Sequence, residues 1–330
     1  MLDNYHSNNH DIKRTVNVIG GFLGSGKTTL INYILSNIID KKFDVLVREY
    51  GSVAIDDKLI KLKKENIHVF ADVASHDDDI QIMLYHYLDK LYDKTRKDPF
   101  DYLLLESSGL DTPEALVHLF FIGNMQTNYK LGSYIALVDA EYGNLNLDEF
   151  KVALYQIAFA DVIIINKVDL ADKEEIHNLK KRLHSINGMA EIYHAQYGHV
   201  NVEEILHVEL YEQLKDLENK SEEDEEMVQD NIKTLLLTEN RPLDMEKMNE
   251  WIKNLYVTKG MKILRSKGFL YFKDEDYRYE FQAVRKTYHS KADKKWEDNE
   301  ERKSVIVLIG DNEVLDAKEL QESFSSCAFK

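Results

Sequence analysis

Residues 21–28 read GFLGSGKT and match the pattern G-x-x-x-x-G-K-[ST] in full. They follow an apolar run at residues 15–19 that predicts a strand, and they precede apolar side chains at helical spacing between residues 30 and 38. In this context the glycines allow successive backbone N–H groups to point inward, and the helix N-terminus adds its positive end. The stretch therefore predicts a loop that binds phosphate groups.

Individual positions of this loop have distinct expected contacts. Lys27 is expected to reach the β- and γ-phosphates of a nucleotide, and the hydroxyl of Thr28 is expected to ligate Mg²⁺. The predicted nucleotide-binding residues of the loop are Gly21, Leu23, Gly24, Ser25, Gly26, Lys27, Thr28 and Thr29. A chance match in an unrelated turn is the alternative, and the flanking strand and helix argue against it.

Strand and helix patterns alternate along the first part of the chain. Alternation of this kind predicts an α/β fold with a mostly parallel P-loop NTPase sheet and flanking helices. The predicted strands lie near residues 15–19, 44–48, 67–70, 102–105, 134–138 and 162–165, and the predicted helices near residues 80–91, 148–160 and 173–186.

The pattern changes near residue 216, where the chain becomes strongly acidic. The acidic run predicts a solvated linker, and a docking tail for a basic partner is the alternative. Beyond it, strands near residues 234–237, 268–272, 279–284 and 304–309 and helices near 245–255 and 317–324 predict a smaller α+β domain. The predicted organisation is a polar tail (1–14), a P-loop domain (15–215), an acidic linker (216–231) and a C-terminal α+β domain (232–330).

A second motif follows the predicted strand at residues 102–105. Glu106 and the glycine three positions later, Gly109, lie where that strand would emerge beside the phosphate loop. Glu106 is expected to join the Mg²⁺ shell through water, and the N–H of Gly109 to sense the γ-phosphate. A carboxylate at a strand end is ordinary by itself, so this assignment depends on the phosphate loop.

A third motif, NKVD at residues 166–169, follows the sixth predicted strand. Asp169 can accept hydrogen bonds from N1–H and the exocyclic amine of guanine, whereas adenine would leave this carboxylate unpaired. Asn166 and the stem of Lys167 are expected to brace the loop and cover the base. The motif therefore predicts a preference for GTP. Residues 194–196 are a further place where the base could be contacted, without a specific assignment.

Composition limits the remaining functions. The 330-residue chain has 59 acidic and 42 basic residues and a formal charge of −17, which argues against nucleic acid and anionic membranes as partners. No apolar run approaches the roughly 20 residues of a membrane span, and the polar residues 1–15 predict no secretory signal, so a cytoplasmic location is expected. The single cysteine, Cys327, excludes an intramolecular disulfide and a multi-thiolate metal site.

Taken together, the motifs resemble those of the CobW-type GTPases, a branch of the dimerising P-loop G proteins that includes HypB- and UreG-like metal-insertion chaperones. The similarity covers roughly residues 15–326. The stretches that carry it are residues 20–30 (GGFLGSGKTTL), 106–110 (ESSGL), 156–161 (QIAFAD), 166–170 (NKVDL), 264–269 (LRSKGF), Trp296 and 305–310 (VIVLIG).

The resemblance implies an enzyme that hydrolyses GTP to GDP and phosphate, slowly when alone. It further implies a metallochaperone or metal-cofactor assembly factor for a client protein, a homodimer, and Zn²⁺ or another divalent metal as cargo. Lys27, Glu106 and Glu49 are the expected catalytic residues. Glu49 and Asp56 belong to REYGSVAID at residues 48–56, which partly matches the family's switch stretch N-E-[FY]-G-E-x-x-I-D. Two solvated acids are the alternative for this pair.

One departure from the family concerns metal binding. The family usually places G-C-x-C-C after its third strand, where thiolates bind zinc or a related metal, but residues 71–76 read ADVASH here. Asp72 and His76 are the candidate replacement ligands, because carboxylate and imidazole can hold Zn²⁺, Mn²⁺ or Co²⁺. The alternative is that Ser75 and the following acids cap a helix.

Several functions therefore compete. A metallochaperone GTPase is implied by the resemblance, whereas a GTP-switched activation factor that carries no metal fits the missing thiols. A module that binds GTP without hydrolysis is a third hypothesis, and the complete phosphate loop, Glu106 and Asp169 argue against it. A nucleotide kinase is a fourth, and no acceptor site supports it.

Overall fold

A computed structural model describes residues 13–38, 40–50, 67–72, 77–208, 210–218, 230–297 and 300–329. Two compact units are formed. The first comprises the described residues between 13 and 181 and residues 190–208, and the second comprises residues 182–189 and the described residues from 210 onward. The predicted domain boundaries at residues 215 and 231 stay a prediction, and residues 219–229 lie outside the described ranges.

The first unit contains a seven-stranded sheet in the order β3-β2-β4-β1-β5-β6-β7, and all neighbouring strands pair in parallel. This confirms the predicted α/β class. The strands are β1 (Arg14–Gly21), β2 (Phe43–Tyr50), β3 (Ile67–Asp72), β4 (Tyr102–Glu106), β5 (Tyr129–Asp139), β6 (Val162–Asn166) and β7 (Glu191–His194).

Helices of this unit flank the sheet. Among the described residues of the whole chain, no helix is both long and apolar enough to cross a bilayer. The helices are α1 (Lys27–Asn37), α2 (Asp77–Lys94), α3 (Pro113–Leu119), α4 (Gly123–Asn128), α5 (Gly143–Glu149), α6 (Lys151–Ala158), α7 (Lys173–Ile186), which extends into the second unit, and α8 (Val202–Leu206).

The helix predicted at residues 148–160 was wrong in its extent, because two helices meet there. Phe150 has φ −125° and ψ 108°, which is extended backbone and ends α5 before α6 begins. Its ring packs against that of Phe22, with ring centroids 4.6 Å apart. The break between the two helices therefore lies beside the phosphate loop.

Apolar side chains of α1 cover one face of the sheet. Leu30 and Ile34 on α1 and Ile19, Leu104 and Ile164 on the strands have no solvent exposure and share one core cluster. Burial of a side chain of this size contributes about 1.5–3 kcal/mol. Because the strands are parallel, the carboxyl ends of β1, β4 and β6 lie at one edge, and the three sequence motifs follow those ends.

The second unit contains an antiparallel sheet in the order β11-β10-β9-β12-β8, which confirms the predicted α+β class. Buried residues of α10 and α11, among them Ile252 and Phe324, form its core with the strands. The elements are α9 (Leu210–Glu218), β8 (Ile232–Glu239), α10 (Met245–Thr258), β9 (Ile263–Leu270), β10 (Tyr277–Val284), β11 (Thr287–Lys295), β12 (Ser304–Asp311) and α11 (Ala317–Ser325).

Two strands of this unit differ from the sequence-based expectation. The strand predicted near residues 268–272 was wrong in its bounds, because β9 begins earlier, at Ile263, and ends at Leu270. Two charged residues of β9, Arg265 and Lys267, are buried and interrupt the apolar run by which the strand could have been predicted. β11 was not predicted, since its sequence TYHSKADKK is polar and only its pairing with β10 makes it a strand.

Candidate nucleotide site

The phosphate loop connects the end of β1 to the start of α1. Gly24 and Gly26 have φ values of 74° and 103°, a region that side chains with a Cβ avoid, and Gly26 is the N-cap of α1. The ammonium of Lys27 donates to the carbonyl oxygens of Gly21 at 2.8 Å and Phe22 at 3.1 Å. The side chain of Lys27 therefore lies across the loop.

Charge in the loop is balanced locally. Burial lowers the pKa of Lys27, while the carboxylates of Glu106 and Asp111 oppose this and favour the charged ammonium. Ser25 is 1% exposed, and its Oγ has no hydrogen-bond partner among the described residues. A buried donor and a buried cation in one glycine-rich loop fit an anionic ligand with several acceptor oxygens.

Two side chains beside this loop carry oxygens that are suitable ligands for Mg²⁺. The hydroxyl of Thr28 donates to Glu106 Oε1 at 2.7 Å, and Glu106 is 6% exposed at the end of β4. Ile19 of β1 pairs with Glu106 in register, which fixes the carboxylate next to the phosphate loop. Hydroxyl and carboxylate oxygens are the ligands that Mg²⁺ prefers, so these two residues fit it.

The segment that follows β4 lies directly against the phosphate loop. A Cβ added to Gly109 would lie 2.7 Å from the backbone nitrogen of Leu23 and 2.9 Å from its Cα, so only glycine fits there. Gln156 of α6 donates to the carbonyl oxygens of Gly109 at 3.3 Å and Asp111 at 3.2 Å. Gln156 lies in the family-like QIAFAD stretch, but sequence reasoning gave it no role.

Asn166 joins the predicted base loop to two other loops. Its Nδ2 donates to the carbonyl oxygen of Ser25 at 2.9 Å, and its Oδ1 accepts from the backbone N–H of Gly198 at 3.1 Å. The backbone N–H of Val168 donates to the carbonyl oxygen of Ala195 at 3.3 Å. Residues 195–198 therefore lie beside the base loop. The stretch near 194–196, for which sequence reasoning made no specific assignment, overlaps them.

The other two residues of this motif lie on the same loop. Lys167 has φ 61°, and its ammonium lies 2.7 Å from Asp139 Oδ2 at the end of β5. Asp139 also accepts from the backbone N–H groups of Glu141 and Tyr142, so it is held in place. Asp169 is exposed. Asp139 was missed from the sequence, although it directly follows the strand predicted at residues 134–138, at the same edge of the sheet.

The structure thus brings together the predicted residues of the phosphate loop, Glu106, Gly109 and residues 166–169 at one edge of the sheet. Their roles in binding and catalysis stay predictions. Two further side chains that lie there, Arg48 and Asp111, were not singled out from the sequence; both are buried and form an ion pair. A charged residue near the end of a predicted strand was the available signal.

The predicted transition-metal residues fall elsewhere. The side chains of Glu49 and Asp72 lie outside the description, as do residues 56 and 76, so Asp56 and His76 are not described. Among the side chains that are described, no group of three or more His, Cys, Asp or Glu residues could hold a metal ion. Cys327 is buried, and burial raises the pKa of its thiol to about 11, which disfavours a thiolate ligand.

Comparisons with known proteins agree with this geometry. The CobW/HypB/UreG nucleotide-binding domain family matches residues 15–194, and the cobalamin synthesis protein cobW C-terminal domain family matches residues 232–328. The chain is 30% identical over 301 residues to "Zinc chaperone YjiA" of Escherichia coli, covering 89% of this chain and 93% of the relative. It is 30% identical over 298 residues to "Zinc-regulated GTPase metalloprotein activator 1" of Dictyostelium discoideum, covering 78% and 62%.

Solved structures of YjiA share the fold. The Zn(II)-bound YjiA GTPase from E. coli has a TM-score of 0.69 and 26% identity, covering 96% of this chain and 99% of that chain. A Zn(II)-bound triple mutant of the same GTPase, with one glutamate and two cysteines replaced by alanine, has a TM-score of 0.70 with the same identity and coverage. The likeness extends over both units of the chain.

Proposed function

The chain belongs to the CobW/HypB/UreG family of nucleotide-binding proteins, and from this premise we propose that it is a Mg²⁺-dependent GTPase acting as a metallochaperone or metal-cofactor assembly factor for a client protein. The supporting observation is the convergence of three loops. Lys27, the Thr28–Glu106 pair and Asn166 all lie at the carboxyl edge of one parallel sheet. Ligands bind at this edge in open α/β sheets.

Each residue has a defined task in the proposed reaction. As water attacks the γ-phosphorus, Lys27 and the backbone N–H groups of the phosphate loop stabilise the charge on the phosphate oxygens. Thr28 and Glu106 would hold Mg²⁺, which supplies further neutralisation of that charge. Gly109 would contact the γ-phosphate, and Glu49 is proposed to assist catalysis from the end of β2. Weak hydrolysis without a dimer partner or client is part of the proposal.

Base recognition is assigned to the loop at residues 166–169. Asp169 would accept from the two adjacent donors of guanine, while Asn166 and the Lys167–Asp139 pair keep the loop in place. Adenine would leave the carboxylate without matching donors. The proposed ligands are therefore GTP and GDP, with a cytoplasmic location and a homodimer as further parts of the proposal.

Hydrolysis is tested by phosphate release with Mg²⁺ and GTP. Lys27→Ala is expected to abolish turnover, because its ammonium is the cation that reaches the phosphates. Lys42→Ala is the matched control, since the side chain of Lys42 is 62% exposed and paired with Asp98. Turnover by Lys27→Ala at the wild-type rate, or equal affinity for ATP and GTP, would contradict the proposal.

The metal-carrying part of the function rests on the relatives. YjiA is named a zinc chaperone, and Zn(II) is bound in its triple mutant without two of its cysteines. A carboxylate–imidazole site at Asp72 and His76 is therefore proposed in place of the family's thiolates. The single cysteine, which is buried, favours the second candidate, a GTP-switched client activation factor that carries no metal.

Calorimetry distinguishes these two candidates. Zn²⁺ and Co²⁺ are titrated into wild type and an Asp72→Ala/His76→Ala variant, with and without Mg²⁺ and a non-hydrolysable GTP analogue. Tight binding that is lost in the variant and changed by nucleotide supports a metallochaperone with new ligands. Absence of tight binding by either protein supports the activation factor, and equally tight binding by both contradicts the site at Asp72 and His76.

A further inference from the structure

A buried ion pair joins the end of β2 to the segment at residues 106–111. Arg48 Nη1 lies 2.5 Å from Asp111 Oδ2, and the two side chains are 4% and 2% exposed. The same Oδ2 accepts the backbone N–H of Ser108 at 2.8 Å, and the backbone N–H of Asp111 donates to the carbonyl oxygen of Ser108 at 3.1 Å. One carboxylate oxygen therefore ties a guanidinium and the backbone of the 106–111 segment together.

Gln156, which follows the 106–111 segment in the sequence, also binds this segment. This glutamine is 1% exposed and donates to the carbonyl oxygens of Gly109 and Asp111. The segment is therefore anchored by side chains from β2 and from α6. Neither anchor belongs to the phosphate loop or to the base loop.

The anchored segment includes the glycine that lies against the phosphate loop. Gly109 approaches the backbone of Leu23 so closely that even a Cβ would not fit. The carboxylate of Asp111 also acts on Lys27, whose charged form it favours. A change in the position of Asp111 would thus alter both the Gly109 N–H and the field at Lys27.

Burial makes this arrangement sensitive to the charge of either partner. A buried ion pair adds little net stability over an apolar replacement, but removing one partner leaves an uncompensated buried charge. The pair is therefore better suited to fixing the position of the segment than to stabilising the fold. Position matters most for a contact that is made with one phosphate group and lost when that group leaves.

We propose that the Arg48–Asp111 pair, supported by Gln156, is a positioning element that holds the Gly109 N–H against the phosphate loop and so sets the preference for GTP over GDP. This inference rests on the proposed function, since it assumes a guanine nucleotide in the site. Arg48, Asp111 and Gln156 touch neither nucleotide nor reacting atoms in this proposal. They act through the 106–111 segment.

The test compares affinities of the full chain for GDP and a non-hydrolysable GTP analogue with Mg²⁺, measured by displacement of a fluorescent nucleotide. Asp111→Asn keeps an acceptor for Ser108 but removes the charge. It is expected to lower affinity for the GTP analogue on the order of 10-fold and to leave GDP affinity within about twofold. Arg48→Lys keeps the charge and is expected to retain most of the wild-type ratio.

A matched control comes from the second unit. Arg278 and Glu300 form another ion pair, at 3.1 Å, with both side chains 7% exposed. Glu300→Gln is expected to lower the unfolding temperature without changing the GTP-to-GDP ratio. A general loss of stability would therefore be separated from a change in nucleotide preference.

Gln156→Leu gives a second, independent reading if Asp111→Asn folds poorly, because it removes the other anchor without leaving a buried charge. A fall of its GTP-to-GDP ratio supports the inference. An unchanged ratio in the folded variants, or an equal loss of both affinities, overturns the inference while leaving the proposed function intact. Failure of wild type to bind either nucleotide refutes the proposed function and this inference with it.

Discussion

Asn166→Ala should weaken GTP and GDP binding together. Asn166 is 2% exposed and makes two hydrogen bonds, one to the carbonyl oxygen of Ser25 at 2.9 Å and one from the N–H of Gly198 at 3.1 Å. The substitution leaves one buried acceptor and one buried donor without these partners. Each such group costs about 1–3 kcal/mol, so a total of about 2–3 kcal/mol is expected after partial relaxation.

This energy can appear in two measurements. If the nucleotide must restore the order of the loops, the loss appears as an affinity lowered about 30- to 140-fold. If the loops stay ordered without the nucleotide, the loss appears as a lower free energy of unfolding. Titration with fluorescent GDP and a GTP analogue, together with urea unfolding of the apoprotein, measures both.

The GTP-to-GDP ratio provides the internal check. Asn166 touches the phosphate loop and residues 195–198, which serve both nucleotides, so its loss should leave the ratio unchanged. Asn187→Ala is the matched control, because Asn187 is also fully buried and accepts from the N–H of Met189 in the second unit. An Asn166→Ala protein with both affinities within about threefold of wild type and normal stability would refute the reasoning.

Three further predictions follow from other groups. Asp169→Asn should lower GTP affinity and raise affinity for xanthosine triphosphate, since an amide can donate to the extra carbonyl oxygen of xanthine; competition binding measures this. Chelation of Mg²⁺ should weaken GTP more than GDP in the same titration, because the Glu106 carboxylate then faces the phosphates uncompensated. A hydrogen bond from Arg241 lowers the pKa of Glu239 from 4.5 to about 2, so its stabilising effect is full above pH 4.5 and is lost as pH falls towards 2. Thermal unfolding of Glu239→Gln against wild type should show a difference at pH 7 that shrinks below pH 4.5.

Much of the first unit was predictable, because its information is local. The glycines and Lys27 of residues 21–28 specify the loop conformation directly, and runs such as VIIIN of β6 are apolar on both faces, as buried parallel strands are. Residues 166–169 then follow a strand by position. The predicted edge of the sheet, with its three motifs, therefore required no knowledge of tertiary contacts.

The missed features depend on contacts between distant parts of the chain. Arg48 and Asp111 are separated by many residues, and each alone reads as an ordinary charged residue near a strand end. Gln156 lies on a helix whose start was misplaced, because the extended backbone at Phe150, which contacts Phe22, separates α5 from α6. In the second unit, the pairing of β11 with β10 creates a strand that has no apolar pattern. These features depend on strand pairing and on burial in the folded chain, and the local sequence pattern carries no information about either.

Electrostatics of the site explain how a chain with a formal charge of −17 can be suited to a polyanion. Each of the three cations described at the site has a carboxylate that offsets it: Glu106 for Lys27, Asp111 for Arg48 and Asp139 for Lys167. Asp169 adds one further, exposed carboxylate on the base loop. Because these charges offset each other, the site attracts phosphate through its backbone N–H groups and the helix N-terminus, at short range. The affinity should then depend on the positions of the loops more than on the net charge. This is why the anchors of the loops, and not additional cations, are the residues whose substitution should matter most.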